Sequence, residues 1–206
     1  MISPASPTCA DVTNSPAPWV LPGSGLSVFY GRPEAPRLSH YFLPRVLLSG
    51  RRVLYVDGAN RFDPLLLARM ARQRGRTPAE FYERVRVARA FTCFQLTELL
   101  GRVPRLLAGF TAEALIVTGL PELYFDEDVH EREARVSFRR ALTALGALRS
   151  LPLGIALFSD ATSFQTPRRG MFRDLTSQAS HIWHFDLDSD GKLRLLGEKA
   201  ALPLPA

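Results

Sequence analysis

Val85-Arg-Val-Ala-Arg-Ala-Phe-Thr-Cys-Phe-Gln-Leu-Thr-Glu-Leu-Leu100 changes its period part-way along. Val85-Arg-Val-Ala-Arg89 alternates every second residue, as a strand does, and residues 91–107 return to helical spacing. Phe94, Leu96, Leu99 and Leu100 are the candidate core positions of that helix, and Pro104 predicts a kink or break in it. The same strand-then-helix unit recurs on both sides.

Upstream, Leu26-Ser-Val-Phe-Tyr30 and Arg52-Val-Leu-Tyr-Val56 have the length and the β-branched or aromatic content of buried strands. Residues 38–48 between them predict a helix kinked at Pro44. Pro64-Leu-Leu-Leu-Ala-Arg-Met-Ala-Arg72 begins with Pro at a first helical position and stops before Gly75, and residues 78–84 predict a short second helix. Downstream come a strand at Ala114-Leu-Ile-Val-Thr118, a long amphipathic helix over 131–148 and a strand at Leu153-Gly-Ile-Ala-Leu-Phe158. Helices between strands require a mostly parallel sheet covered on both faces, an α/β fold. Near the end, His181-Ile-Trp-His-Phe-Asp-Leu187 and Lys192-Leu-Arg-Leu-Leu196 flank Asp188-Ser-Asp-Gly191, which predicts a C-terminal antiparallel hairpin. Residues 1–22 read as a flexible Pro-rich leader, 23–199 as the core domain and 200–206 as a disordered tail.

The chain has 206 residues, enough for one sizeable core, with 46% hydrophobic and 22% charged residues. No apolar run reaches the roughly 18 residues of a membrane span. The amino-terminal segment lacks a basic start and a continuous apolar stretch, so the expected location is cytoplasmic. Two cysteines, Cys9 and Cys93, give no metal spacing and are read as reduced thiols. The net charge is +6, and Lys occurs only at positions 192 and 199. Arg suits bidentate phosphate contact, although a GC-rich genome gives the same bias.

Ligands of open α/β sheets bind at the carboxyl ends of the strands. After the first strand, Gly31-Arg-Pro-Glu-Ala-Pro-Arg-Leu-Ser39 stands where a phosphate-binding loop, G-x-x-x-x-G-K-[ST], belongs. Gly31 is in place. Pro36 replaces the second Gly and has no N–H to offer phosphate, Arg37 replaces Lys, and Leu38 replaces the metal-binding hydroxyl, with Ser39 one position displaced.

The 85–100 stretch resembles the strand and helix of the RecA/RadA recombinase core, in the branch of archaeal and eukaryotic strand-exchange proteins. Leu54-Tyr-Val-Asp-Gly-Ala-Asn-Arg-Phe-Asp-Pro64 is similar to the family's strand-Asp-x-Glu-Gly-x-Phe-x-Pro block, Ala114-Leu-Ile-Val-Thr118 to its Walker B strand, and Ser177-Gln-Ala-Ser-His-Ile-Trp183 to its late strand. The blocks stand in the family's order across residues 23–197. The resemblance implies a RecA-like P-loop NTPase fold with its catalytic parts missing. Besides the lost Lys and hydroxyl, the water-activating Glu falls at Ala59 and the Walker B Asp at Thr118; Asp57 remains. Phosphoryl transfer of this kind needs Mg²⁺ and neutralising charge held together. MgATP is therefore expected to bind weakly or not at all, with no resident cofactor or metal. The implied role is a non-catalytic accessory protein of homologous recombination or DNA repair, partnered by a recombinase or paralog and by single-stranded DNA, in small or heteromeric oligomers. The alternative is an enzyme: a divergent NTPase using Arg37 and Ser39, or a metal-dependent hydrolase.

In the family the loop after the fifth strand meets DNA. Here residues 159–173 carry Arg168, Arg169 and Arg173 for phosphates and Phe164 and Phe172 for bases. The loop after Thr118 is acidic, with Glu122, Asp126, Glu127, Asp128, Glu131 and Glu133. It repels a phosphate backbone and favours a helix start at 131; Asp126-x-Asp128-x-His130 is a weaker candidate for metal ligation. His181-x-x-His184 places its two rings on opposite strand faces. Asp186-x-Asp188-x-Asp190-Gly191 opens like a calcium loop but has Gly197 at the twelfth position, where a Glu is required.

Overall fold

The computed structural model describes residues 21, 23–187, 189–190 and 193–199. The remainder of the expected leader, the tail at 200–206, Cys9, Asp188 and Gly191 lie outside the described residues. Leu21, assigned to the leader by sequence, is only 2% exposed and packs into the core.

The elements in order are β1 (Gly25–Gly31), α1 (Ala35–Leu48), β2 (Val53–Asp57), α2 (Pro64–Arg72), α3 (Pro78–Tyr82), β3 (Val85–Arg89), α4 (Cys93–Gly109), β4 (Ala114–Thr118), α5 (Glu131–Leu148), β5 (Gly154–Ser159), α6 (Gly170–Ser177), β6 (His181–Leu187) and β7 (Leu193–Lys199). They build one seven-stranded sheet in the order β3-β2-β4-β5-β1-β6-β7. Every neighbouring pair is parallel except β6 and β7, the expected C-terminal hairpin.

Central strands β2, β4 and β5 are buried along their whole length, hence their nearly unbroken apolar runs. Alternate residues serve opposite faces. Phe29, Tyr55, Ile116 and Phe158 pack under α1, α2 and α3 with Phe42, Leu43, Leu67 and Phe81. Val28, Val56, Val117 and Leu157 pack under α4, α5 and α6 with Leu96, Leu100, Phe138 and Leu175. The chain steps one way through β1, β2 and β3, then the other way through β4, β5 and β6. A constant crossover hand puts the first three helices on one face and the last three on the other.

Local chemistry fixes the helix starts. Asp63 accepts the N–H groups of Leu65 and Leu66 ahead of Pro64, Thr77 and Glu80 form a capping box, and Thr92 accepts from Gln95 N–H. Helices α1 and α4 continue through Pro44 and Pro104, so Pro104 does not break α4; buried Leu43 and Leu47 flank the first Pro, and Val103 with partly buried Leu107 flank the second. One expectation fails here. Phe94 is 47% exposed, not core, since Leu96 and Leu100 already fill the inward stripe of α4. Cys93 is buried with a free thiol. Among the described residues no helix is long and apolar enough to cross a membrane.

Candidate functional site at the carboxyl ends of the strands

Residues 32–34 alone separate β1 from α1. Ala35 N–H donates to Arg32 O at 2.8 Å and Arg37 N–H to Glu34 O at 2.9 Å, so these amides are spent inside the turn. Pro33 and Pro36 contribute none. Gly31 has a different reason to be glycine: its φ is 149°, and a Cβ there would lie 2.3 Å from Phe185 O on β6. Ser39 points into the core, donating to Pro36 O and sharing a hydrogen bond with Tyr55 Oη, both at 2.7 Å. It is no displaced metal ligand. Arg37 is exposed and borders a cavity of about 410 Å³ with His40, Arg61 and Phe62.

At the end of β2, Asp57 is fully buried and already surrounded by donors. Thr118 Oγ1 donates to it at 3.0 Å, Arg61 N–H at 2.9 Å and Phe62 N–H at 3.0 Å. Arg89 adds Nε at 3.1 Å and Nη2 at 3.0 Å. The carboxylate is neutralised by a guanidinium of the next strand. Beside it, the loops after β2 and β4 touch backbone to backbone. Gly58 N–H donates to Thr118 O at 3.0 Å, and a Cβ on Gly119, whose φ is 80°, would fall 2.4 Å from Gly58 C. The carboxyl-end crevice between β2 and β4 is thus closed by the chain itself. The residues present do not fit a magnesium-bound nucleoside triphosphate.

Beyond β4, Glu122 accepts from Ser159 Oγ at 2.5 Å and from Asp160 N–H at 2.9 Å through one carboxyl oxygen. Burial pushes its pKa up to about 7, the Asp160 charge adding to the rise and the Ser159 hydrogen bond opposing it. Arg168 is the largest correction to the sequence reading. It is 8% exposed and donates to Tyr124 O at 3.0 Å, Asp126 O at 2.7 Å and Val129 O at 2.6 Å. Its guanidinium ties the acidic segment down and has no free face for DNA. Arg169 and Arg173 are exposed and, with Phe164 and half-buried Phe172, line an open cavity of about 580 Å³. Phe172 leans on Tyr30, ring centroids 5.1 Å apart, so its ring is partly committed to packing. The expected loop is also partly helical, because α6 starts at Gly170.

In the acidic segment, Asp126 accepts Asp128 N–H at 3.0 Å and His130 Nδ1 accepts Arg132 N–H at 3.3 Å, capping α5. Asp57 is committed elsewhere, and among the described residues no group of three or more His, Cys, Asp or Glu is arranged to hold a metal ion. On β6, His184 stacks on Tyr30.

The sequence reading missed Arg89 and the Glu122–Ser159 contact. The first follows from strand order, which puts Asp57 level with Arg89 on one side and Thr118 on the other. No protein-family model matches the chain, and no curated protein matches it.

Proposed function

We propose that this chain is a RecA-like accessory protein of homologous recombination or DNA repair, acting by binding and not by phosphoryl transfer. One observation carries the loss of chemistry: Asp57, the surviving acidic residue of the degenerate site, has its lone pairs taken by Thr118, two backbone amides and Arg89. The ordered family-like blocks over residues 23–197 support the RecA-like part, and the sheet with β1 between β5 and β6 agrees with a site at the end of β1. Its partners are a recombinase or recombinase paralog and single-stranded DNA, the latter met by Arg169 and Arg173 with Phe164 and Phe172. Without nucleotide between subunits, assembly is into small or heteromeric oligomers.

Affinity purification from the native host tests the partnership. Recovery of a recombinase or paralog supports it; reproducible recovery of unrelated partners alone counts against it.

A further inference from the structure

The positive charge of the chain is concentrated. Residues 45–86 contain ten Arg against four Asp or Glu, an excess equal to the net +6 of all 206 residues. Residues 122–133 contain six carboxylates and one Arg. Topology converts this into a spatial division. Helices α1 and α2 run back from the carboxyl ends of β1 and β2, so their last turns and the starts of β2 and β3 meet at the amino-terminal edge of the sheet. The acidic segment, between β4 and α5, sits at the opposite edge.

The basic groups form two clusters at that edge. Arg84 Nη1 donates to Leu47 O at 2.8 Å, and Arg76 and Arg84 line a cavity of about 260 Å³ with Leu48, Ser49 and Gly50. Arg52 and Arg86 lie over the Phe110 ring, 5.5 and 4.7 Å from its centroid. Cations favour helix carboxyl ends, and Arg45 and Arg72 stand in the last turns of α1 and α2, whereas Arg52 lies outside any helix, just ahead of β2. All three are exposed, and among the described residues none of their guanidiniums has a carboxylate within 4.0 Å, although the Arg52 backbone N–H donates to Glu113 Oε2 at 2.7 Å; Arg76 is paired with Glu80 at 3.5 Å.

We propose that this amino-edge surface binds the phosphate backbone of duplex DNA. Guanidinium groups match phosphate bidentately, and their spread over two helix ends and two strand starts suits an extended backbone. The Phe110 ring is covered by two guanidiniums and offers no stacking platform, which favours duplex over single strands. Helices α1 and α2 meet the edge end-on, so no amphipathic face lies in its plane as a membrane surface would require. This surface is separate from residues 159–173 and does not depend on the RecA-like reading.

The test is fluorescence anisotropy of a short labelled duplex titrated with the full chain across a salt series. The triple variant Arg45→Gln/Arg52→Gln/Arg72→Gln is expected to lower the log–log salt slope by about 0.9 per lost contact. Circular dichroism melting checks that it folds; if it does not, the three single variants are each read for about one contact. An Arg45→Lys/Arg52→Lys/Arg72→Lys variant, which keeps the charge, is expected to retain most of the slope. A wild-type chain that does not bind duplex overturns the proposal. So does a folded triple variant with wild-type affinity and slope, or one that loses binding only to phosphatidylserine vesicles. An Arg169→Gln/Arg173→Gln variant assayed on single-stranded DNA reports separately on the carboxyl-edge loop.

Discussion

Arg89, the last residue of β3, holds Asp57, the last residue of β2, through Nε at 3.1 Å and Nη2 at 3.0 Å. Parallel register makes the meeting unavoidable, since the two residues stand level at the ends of neighbouring strands. The carboxylate is wholly buried while the Arg side chain is 36% exposed, so the cation bridges core and solvent. A buried carboxylate at the mouth of an α/β sheet is chemically useful only if something else can approach it. Here the protein supplies its own counter-ion.

Removing that counter-ion exposes its structural share. Arg89→Ala leaves Asp57 with hydroxyl and amide donors but no charge partner. The expected loss is about 1–3 kcal/mol, below that for a fully buried pair because water reaches Arg89. Urea denaturation measures it, and a change under 0.5 kcal/mol would mean the pair contributes little.

Arg168 and Arg169 are sequence neighbours with opposite expectations. Arg168→Ala strands three carbonyl groups of residues 124–129 and is expected to cost about 2–3 kcal/mol. Arg169→Ala, on the exposed side, stays within about 0.5 kcal/mol. Equal effects on the denaturation midpoint would refute this division.

The two contiguous Arg also mark what the sequence can and cannot disclose. Elements with punctuation at both ends were legible: α2 starts on Pro64 after the Asp63 cap, and β3, β4, α5 and β6 match their predicted bounds. Helix α6 was missed because it opens on Gly170 with no side-chain cap and buries only Met171 and Leu175. Arg168 looked like a solvent-facing loop residue because its carbonyl partners come from another loop, some forty residues earlier. The broken phosphate loop was visible in Pro36, Arg37 and Leu38. What fills the space instead, Arg89 on Asp57 and Gly58 against Gly119, depends on strand order.

The proposed DNA contact at the carboxyl edge rests on Arg169 and Arg173. Replacing both with Ala is expected to weaken single-stranded DNA binding and reduce the log–log salt slope by about 0.7 per lost contact. Salt-dependent anisotropy reads this; an unchanged slope in the folded double variant removes the loop from DNA binding.

Two buried titratable groups give opposing pH dependences. Burial lowers the His40 pKa, and its Nε2 accepts Asp63 N–H at 2.9 Å, so the folded protein keeps the ring neutral. The unfolded chain then binds the extra proton below about pH 6.5, and stability falls as pH drops through that range. Glu122 acts in the other sense. Raised from 4.5 to about 7, it keeps its proton in the folded state, so its contribution is full at low pH and is lost as pH rises towards 7. His40→Gln is expected to make stability less sensitive to acid, and Glu122→Gln to remove the loss towards pH 7. Denaturation midpoints from pH 5 to 8 test both, and shifts of the same sign in the two variants would contradict the assignment.

The most direct test of the central claim is isothermal titration calorimetry of the full chain with MgATP. An Asp57 carboxylate held by Arg89, beside a β1–α1 turn whose amides are internally bonded, predicts no saturable heat into the millimolar range. Micromolar affinity that disappears when Mg²⁺ is withheld would contradict the account and favour the divergent NTPase reading.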